Sequence, residues 1–116
     1  MTGRTRTDVF GLLGLAQRAG ALVAGTDAVR RAVQENRALL VLFAGDASGA
    51  QLEKIEGVLK HRSIPRATLG DRAMLGTAIG RSSVSAVALT SAGLARQVQD
   101  RLESASVDAG QRISED

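Results

Sequence analysis

The chain has 116 residues, 44% of them hydrophobic, and a formal net charge of +3. That length and apolar content suit one domain with its own core. The chain has no cysteine, which excludes disulfides and thiolate metal sites. No apolar run approaches the roughly 20 residues needed to span a bilayer, and "MTGRTRTDVF" has no signal-peptide core. A cytoplasmic protein without membrane association is expected.

Residues 1–6 read as a flexible basic arm. From Thr7 to about Ala19, apolar residues at Val9, Leu12, Leu13, Leu15 and Ala16 follow helical spacing, and Gly20 is placed to end the helix. "ALVA" (21–24) is a short strand. Thr26 or Asp27 is placed to cap a second helix that Asn36 closes in the left-handed conformation. "ALLVLFAG" (38–45) is a continuous apolar run, the pattern of a strand buried on both faces.

A third helix follows, with Ser48 and Gln51 at capping-box spacing and Leu52, Ile55, Val58 and Leu59 on one face. Pro65 opens a short strand, where a missing N–H is tolerated. Residues 71–80 form a short helix, "VSAVALT" (84–90) another strand, and 91–103 the last helix, with Leu94, Ala95, Val98 and Leu102 on one face. Residues 104–116 are polar, small and acidic and read as a disordered tail. Strict α-β alternation of this length predicts a three-layer α-β-α sandwich around a mixed, about four-stranded sheet.

Gly11, Gly14 and Gly20 are not a dinucleotide fingerprint. Their spacing is wrong and they lie within a helix, where close packing at Gly14 and a cap at Gly20 account for them. His61, the only histidine, stands beside Lys60 and Arg62 at a helix end, where it complements the dipole. Asp46 precedes the third helix and reads as part of its cap. No nucleophile, base and oxyanion set can be assembled, so no enzyme, metal or cofactor is expected.

Charge is unevenly spread. Residues 1–102 carry 14 basic and 8 acidic side chains, and 13 of the 15 basic residues are arginine. Arginine's planar donor fork suits phosphates and guanine edges. The two aromatics, Phe10 and Phe43, lie in apolar patterns, so nucleic acid would be read through shape, phosphate and base edges rather than stacking.

In "AGTDAVRRAVQENR" (24–37), Asp27, Arg30, Arg31 and Gln34 fall on one arc of the helix at ~100° per residue, opposite Ala28, Val29, Ala32 and Val33. Two readings stand side by side. The helix N-terminus with its arginines can hold an anion, or the stripe is a solvated face with an Asp27–Arg31 pair worth a few tenths of a kcal/mol.

The ordered segments "GTDAVRRAV", "ALLVLFAGDAS", "IPRATLGDRAMLGTAIG" and "VSAVALT" resemble the kink-turn RNA-binding ribosomal protein superfamily. "LLGLAQRAGALVAG" is similar to its small bacterial branch. The resemblance covers about residues 9–103. It implies non-catalytic binding of structured RNA, ribosomal RNA being one such, with no DNA and no membrane, by a monomer.

It also implies contacts from the start of the second helix, at Gly25, Thr26, Asp27, Arg30 and Arg31, and from the loop at Arg81, Ser82, Ser83 and Val84. Asp27 stands where the family has asparagine, Ala28 where it has glutamate, and Arg31 where it has lysine. An aspartate can only accept hydrogen bonds and an alanine side chain makes none. The resemblance therefore implies binding carried more by phosphate than by base edges. The alternative is a protein-interaction module of the same fold with a degenerate RNA site.

Overall fold

The computed structural model describes the backbone of residues 2–114 and the side chains of residues 9–104. Its elements are α1 Thr2–Arg18, β1 Leu22–Ala24, α2 Thr26–Gln34, β2 Leu40–Phe43, α3 Gly49–Leu59, β3 Arg66–Thr68, α4 Arg72–Ala78, β4 Ala86–Leu89 and α5 Ala92–Ser114. All nine fall where the alternation placed them. The arm expected at 1–6 and the tail expected at 104–116 lie largely outside the residues with described side chains. The helical backbone of α1 starts at Thr2 and that of α5 ends at Ser114, beyond the limits of 7 and 103. Neither stretch contains a proline to stop it.

The sheet order is β1-β4-β2-β3. β4 runs antiparallel to both neighbours, pairing Leu89 with Leu22 and with Leu40. β3 runs parallel to β2, with Val41 opposite Arg66. The sheet is therefore mixed. All four residues of β2 are buried, as the apolar run 38–45 required, because helices cover both faces.

Alternating side chains feed two cores. Leu40, Leu42, Val87 and Leu89 pack with Val9 and Leu13 of α1, Leu75 and Ile79 near α4, and Val98 of α5. Val41, Phe43, Ala86 and Ala88 pack with Val29, Ala32 and Val33 of α2 and Ile55 and Leu59 of α3. Each fully buried leucine, isoleucine or valine contributes roughly 1.5–3 kcal/mol relative to an exposed one. At Gly14, α1 runs close to α4; a Cβ there would lie 2.9 Å from the Ala78 carbonyl oxygen.

Because β1, β2 and β3 share one direction, α2, α3 and α4 all begin at the same end of the sheet. Two capping expectations change there. Ser48 does cap α3, accepting from the Gln51 N–H at 3.2 Å. The Gln51 side chain does not return the bond; it accepts instead from the Ser85 hydroxyl. Asp46 caps α4 rather than α3. Its carboxylate accepts from the Arg72 N–H at 2.8 Å, beside Asp71, which accepts from the Met74 N–H at 2.8 Å.

Candidate nucleic-acid interface

The sequence offers two good capping residues at the start of α2, and neither is used. The N-cap is Gly25, at φ 98° and ψ 152°, and no side chain caps the helix. Thr26, Asp27 and Ala28 are thus the first three helical residues, whose N–H groups have no partner within the helix. A backbone at φ 98° strongly favours glycine. A Cβ there would meet nothing within 4 Å, so the approach to the helix end is open.

The α2 stripe falls where periodicity placed it. Val29, Ala32 and Val33 are fully buried, while Asp27, Arg30, Arg31 and Gln34 are exposed. The expected Asp27–Arg31 pair does not form. Ion pairs join Arg37 to Glu35 and Arg72 to Asp46, and the side chains of Arg30 and Arg31 have no hydrogen-bond or ionic partner among the described residues. Of the two readings of the stripe, the self-paired solvated face loses its pair.

The second expected segment is held beside this helix end. The Gly25 N–H donates to the Ala86 carbonyl at 2.9 Å, joining the entry to α2 to the first residue of β4. The loop before β4 is pinned to α4 at both ends. The Arg81 N–H donates to the Gly76 carbonyl at 2.7 Å and the Val84 N–H to the Arg72 carbonyl at 3.1 Å. Gly76 allows this contact, since a Cβ there would lie 2.7 Å from Ser83 Cα.

Arg81, Ser82 and Ser83 are exposed. Val84 is not a surface contact: it is 6% exposed and belongs to the core around Leu75 and Ile79. An apolar side chain entering β4 is drawn under the sheet, which sequence spacing along the loop did not reveal.

One contributor, Ser85, escaped the sequence reading, and another, Asp46, was assigned to the wrong helix. Ser85 is buried; its hydroxyl donates to Gln51 and its carbonyl accepts from the Ala44 N–H at 2.8 Å. It thereby ties the loop to α3 and to the end of β2. Asp46 fixes the start of α4 beneath the loop, and the hydrogen bond from the Arg72 N–H holds its carboxyl below the usual aspartate range. Among the described residues no cluster of three or more His, Asp or Glu side chains could hold a metal ion. No helix there is long and apolar enough to cross a membrane.

A mixed sheet in the order β1-β4-β2-β3 between helical layers, with α2 opening beside the loop that feeds β4, makes the protein a mixed-sheet α-β-α sandwich. The chain belongs to the Ribosomal protein L7Ae/L30e/S12e/Gadd45 family, whose model matches residues 7–99. It is 36% identical over 94 residues to the RNA-binding protein YlxQ of Bacillus subtilis (strain 168), covering 81% of this chain and 94% of that protein.

Among solved structures it is similar to a protein of unknown function from Bacillus halodurans C. That match has a TM-score of 0.76 and 33% identity, and covers 82% of this chain and 96% of the other. The Giardia lamblia 15.5kD RNA binding protein superposes with a TM-score of 0.71 over 90% of this chain and 89% of its own. At 17% identity, that likeness speaks to the fold alone.

Proposed function

We propose that the protein binds structured RNA, without catalysis, through the start of α2 and the loop at residues 81–83. The carrying observation is the pair Arg30 and Arg31: exposed, without partners, and next to a helix N-terminus that no side chain caps. Free N–H groups, a positive helix end and two guanidinium forks are what a phosphate takes. Arg81 adds a third cation from the adjoining loop. The RNA-binding relative from Bacillus subtilis supports RNA as the anion. Kink-turn recognition at this end, action as a monomer and a cytoplasmic location form part of the same reading.

Asp27 and Ala28 favour a second reading, a protein-interaction module. Asp27 puts an exposed carboxylate into the first turn of the helix, where an RNA phosphate would approach. Titrating a kink-turn RNA and a straight duplex at two salt concentrations separates the two. Preference for the kink supports family-type recognition. Equal, steeply salt-dependent affinities mean phosphate binding alone, and no binding at low salt leaves the interaction module. Arg31→Ala is expected to weaken binding more than Arg96→Ala on α5; equal effects would remove α2 from the interface.

A further inference from the structure

The opposite end of the α2–α3 layer carries a second set of cations. The backbone leaves α2 at Asn36, which stands at φ 62°. The Arg37 N–H donates to the Ala32 carbonyl at 2.8 Å, closing the helix. The segment from Lys60 to Arg66, between α3 and β3, meets it there. α2 has nine residues, so at ~1.5 Å of rise per residue this end lies about 13 Å from the start of α2. Arg37, Lys60, Arg62 and Arg66 gather here with His61, and residues 60–66 contain no acid. Glu35 is already paired with Arg37 at 2.9 Å. Glu56, four residues before Lys60, makes no ion pair among the described residues.

Arg62 is fixed rather than consumed. Its Nε donates to the Val58 carbonyl at 3.0 Å and one terminal nitrogen donates to the Asn36 side-chain oxygen. A guanidinium has five N–H donors, so three remain, on a plane already held in place. Complementing the helix C-terminal dipole explains the bond to Val58, and the Arg66 guanidinium donates to the Ile64 and Arg62 carbonyls beyond the helix end. Lys60 and His61 are exposed, and their side chains have no hydrogen-bond or ionic partner among the described residues. Beside them opens a cavity of about 630 Å³ lined by His61 and Arg62, by the apolar side chains of Ala38, Val58 and Ile64, and by Asn36 and Ser63. That size lies within the usual range for small-molecule sites.

We infer that this cavity is a second phosphate-binding site, taking a nucleotide whose phosphate meets Arg62 beside His61, with Lys60 next to them in the chain, and whose nucleoside covers the apolar lining. The source of that phosphate is an RNA phosphodiester, a step that rests on the RNA reading above. The protein then holds RNA at both ends of the α2–α3 layer.

Amide NMR on the full chain, titrated separately with adenosine monophosphate and with a short RNA hairpin, tests the site. Both probes are expected to shift Asn36, Arg62 Nε–H, Ser63 and Ile64, and the RNA shifts are expected to persist in Arg31→Ala. The double variant Lys60→Gln, His61→Ala leaves every hydrogen bond of Arg62 in place. It is expected to weaken both probes and to lower the salt slope of RNA binding by about 1. Shifts with adenosine monophosphate but none with RNA anywhere would support the site, with a free nucleotide as its ligand, and would refute the RNA reading instead. Unchanged Asn36, Ser63 and Ile64 with both probes would overturn the inference, whatever happens at residues 25–31.

Discussion

Replacing Gly25 by alanine tests the backbone that makes the helix end available. Gly25 stands at φ 98° and ψ 152°, and an added Cβ meets nothing within 4 Å. The cost is therefore backbone strain without a clash, about 1–3 kcal/mol for a non-glycine residue held in this region. At about 4–8 °C of melting temperature per kcal/mol in a domain near this size, Gly25→Ala should melt well below the wild type, by at least about 4 °C.

Gly57 provides the calibration. Its Cβ would also meet nothing within 4 Å, but it lies inside α3, where alanine is the better helix former by about 0.8–1 kcal/mol. Gly57→Ala should thus raise the melting temperature. Thermal and urea unfolding followed by far-UV circular dichroism reads both. Equal shifts of the same sign, or an unchanged melting temperature for Gly25→Ala, would refute the argument that the entry to α2 needs the positive φ.

Gly76→Ala places a Cβ 2.7 Å from Ser83 Cα and N and 2.8 Å from the Arg81 carbonyl oxygen, all backbone. It should cost about 1–3 kcal/mol as overpacking and move loop amides 81–83, as urea unfolding and NMR would show. Asp46→Asn should lower the melting temperature at neutral pH. The carboxyl's folded-state pKa is lowered by the Arg72 hydrogen bond, so its contribution is complete above the ordinary aspartate range and disappears as pH falls through the lowered value. The difference between the two proteins should vanish there. The double change Asp27→Asn, Ala28→Glu restores the family's base-reading pair and should raise kink-over-duplex preference by roughly 1–3 kcal/mol per recovered base contact, measured as a ratio of dissociation constants.

Patterns that repeat along the chain were the legible part. The both-faces-buried run gave β2, and the 3.6-residue period of 28–34 gave the buried and exposed sides of α2. Ser48 and Asn36 sat where local end signals placed them. What stayed hidden was decided between segments distant in sequence. Asp27 is a better cap than glycine by local preference, yet the hydrogen bond from Gly25 to Ala86 sets where the chain turns into α2. Asp46 has a helix just ahead of it, but the N–H it accepts belongs to Arg72. Gln51 had the spacing to close its own helix start, but Ser85 lies within reach across the sheet end. Val84 opens the apolar run 84–90 yet was counted with the contact loop, and its side chain is buried with Leu75 and Ile79.

The same charges that suggest nucleic acid also limit what one end of the protein can do. At the start of α2, Arg30, Arg31 and Arg81 offer three phosphate contacts, and Asp27 opposes them. At about 0.9 per contact for a duplex, the logarithmic salt slope is about −2.7 at most. Affinity would then fall about 40-fold between 50 and 200 mM salt. If Lys60, Arg62 and Arg66 at the far end also meet phosphate, the slope steepens toward about −5. The slope of a single titration series therefore distinguishes grip at one end from grip at both. Repeating the series with Arg30→Ala, Arg31→Ala removes two of the three contacts at the α2 end and leaves the far end intact. A wild-type slope near −2.7 that falls to about −0.9 in this variant would confine the RNA to the α2 end. A steeper slope that survives in part would assign the remainder to the far end.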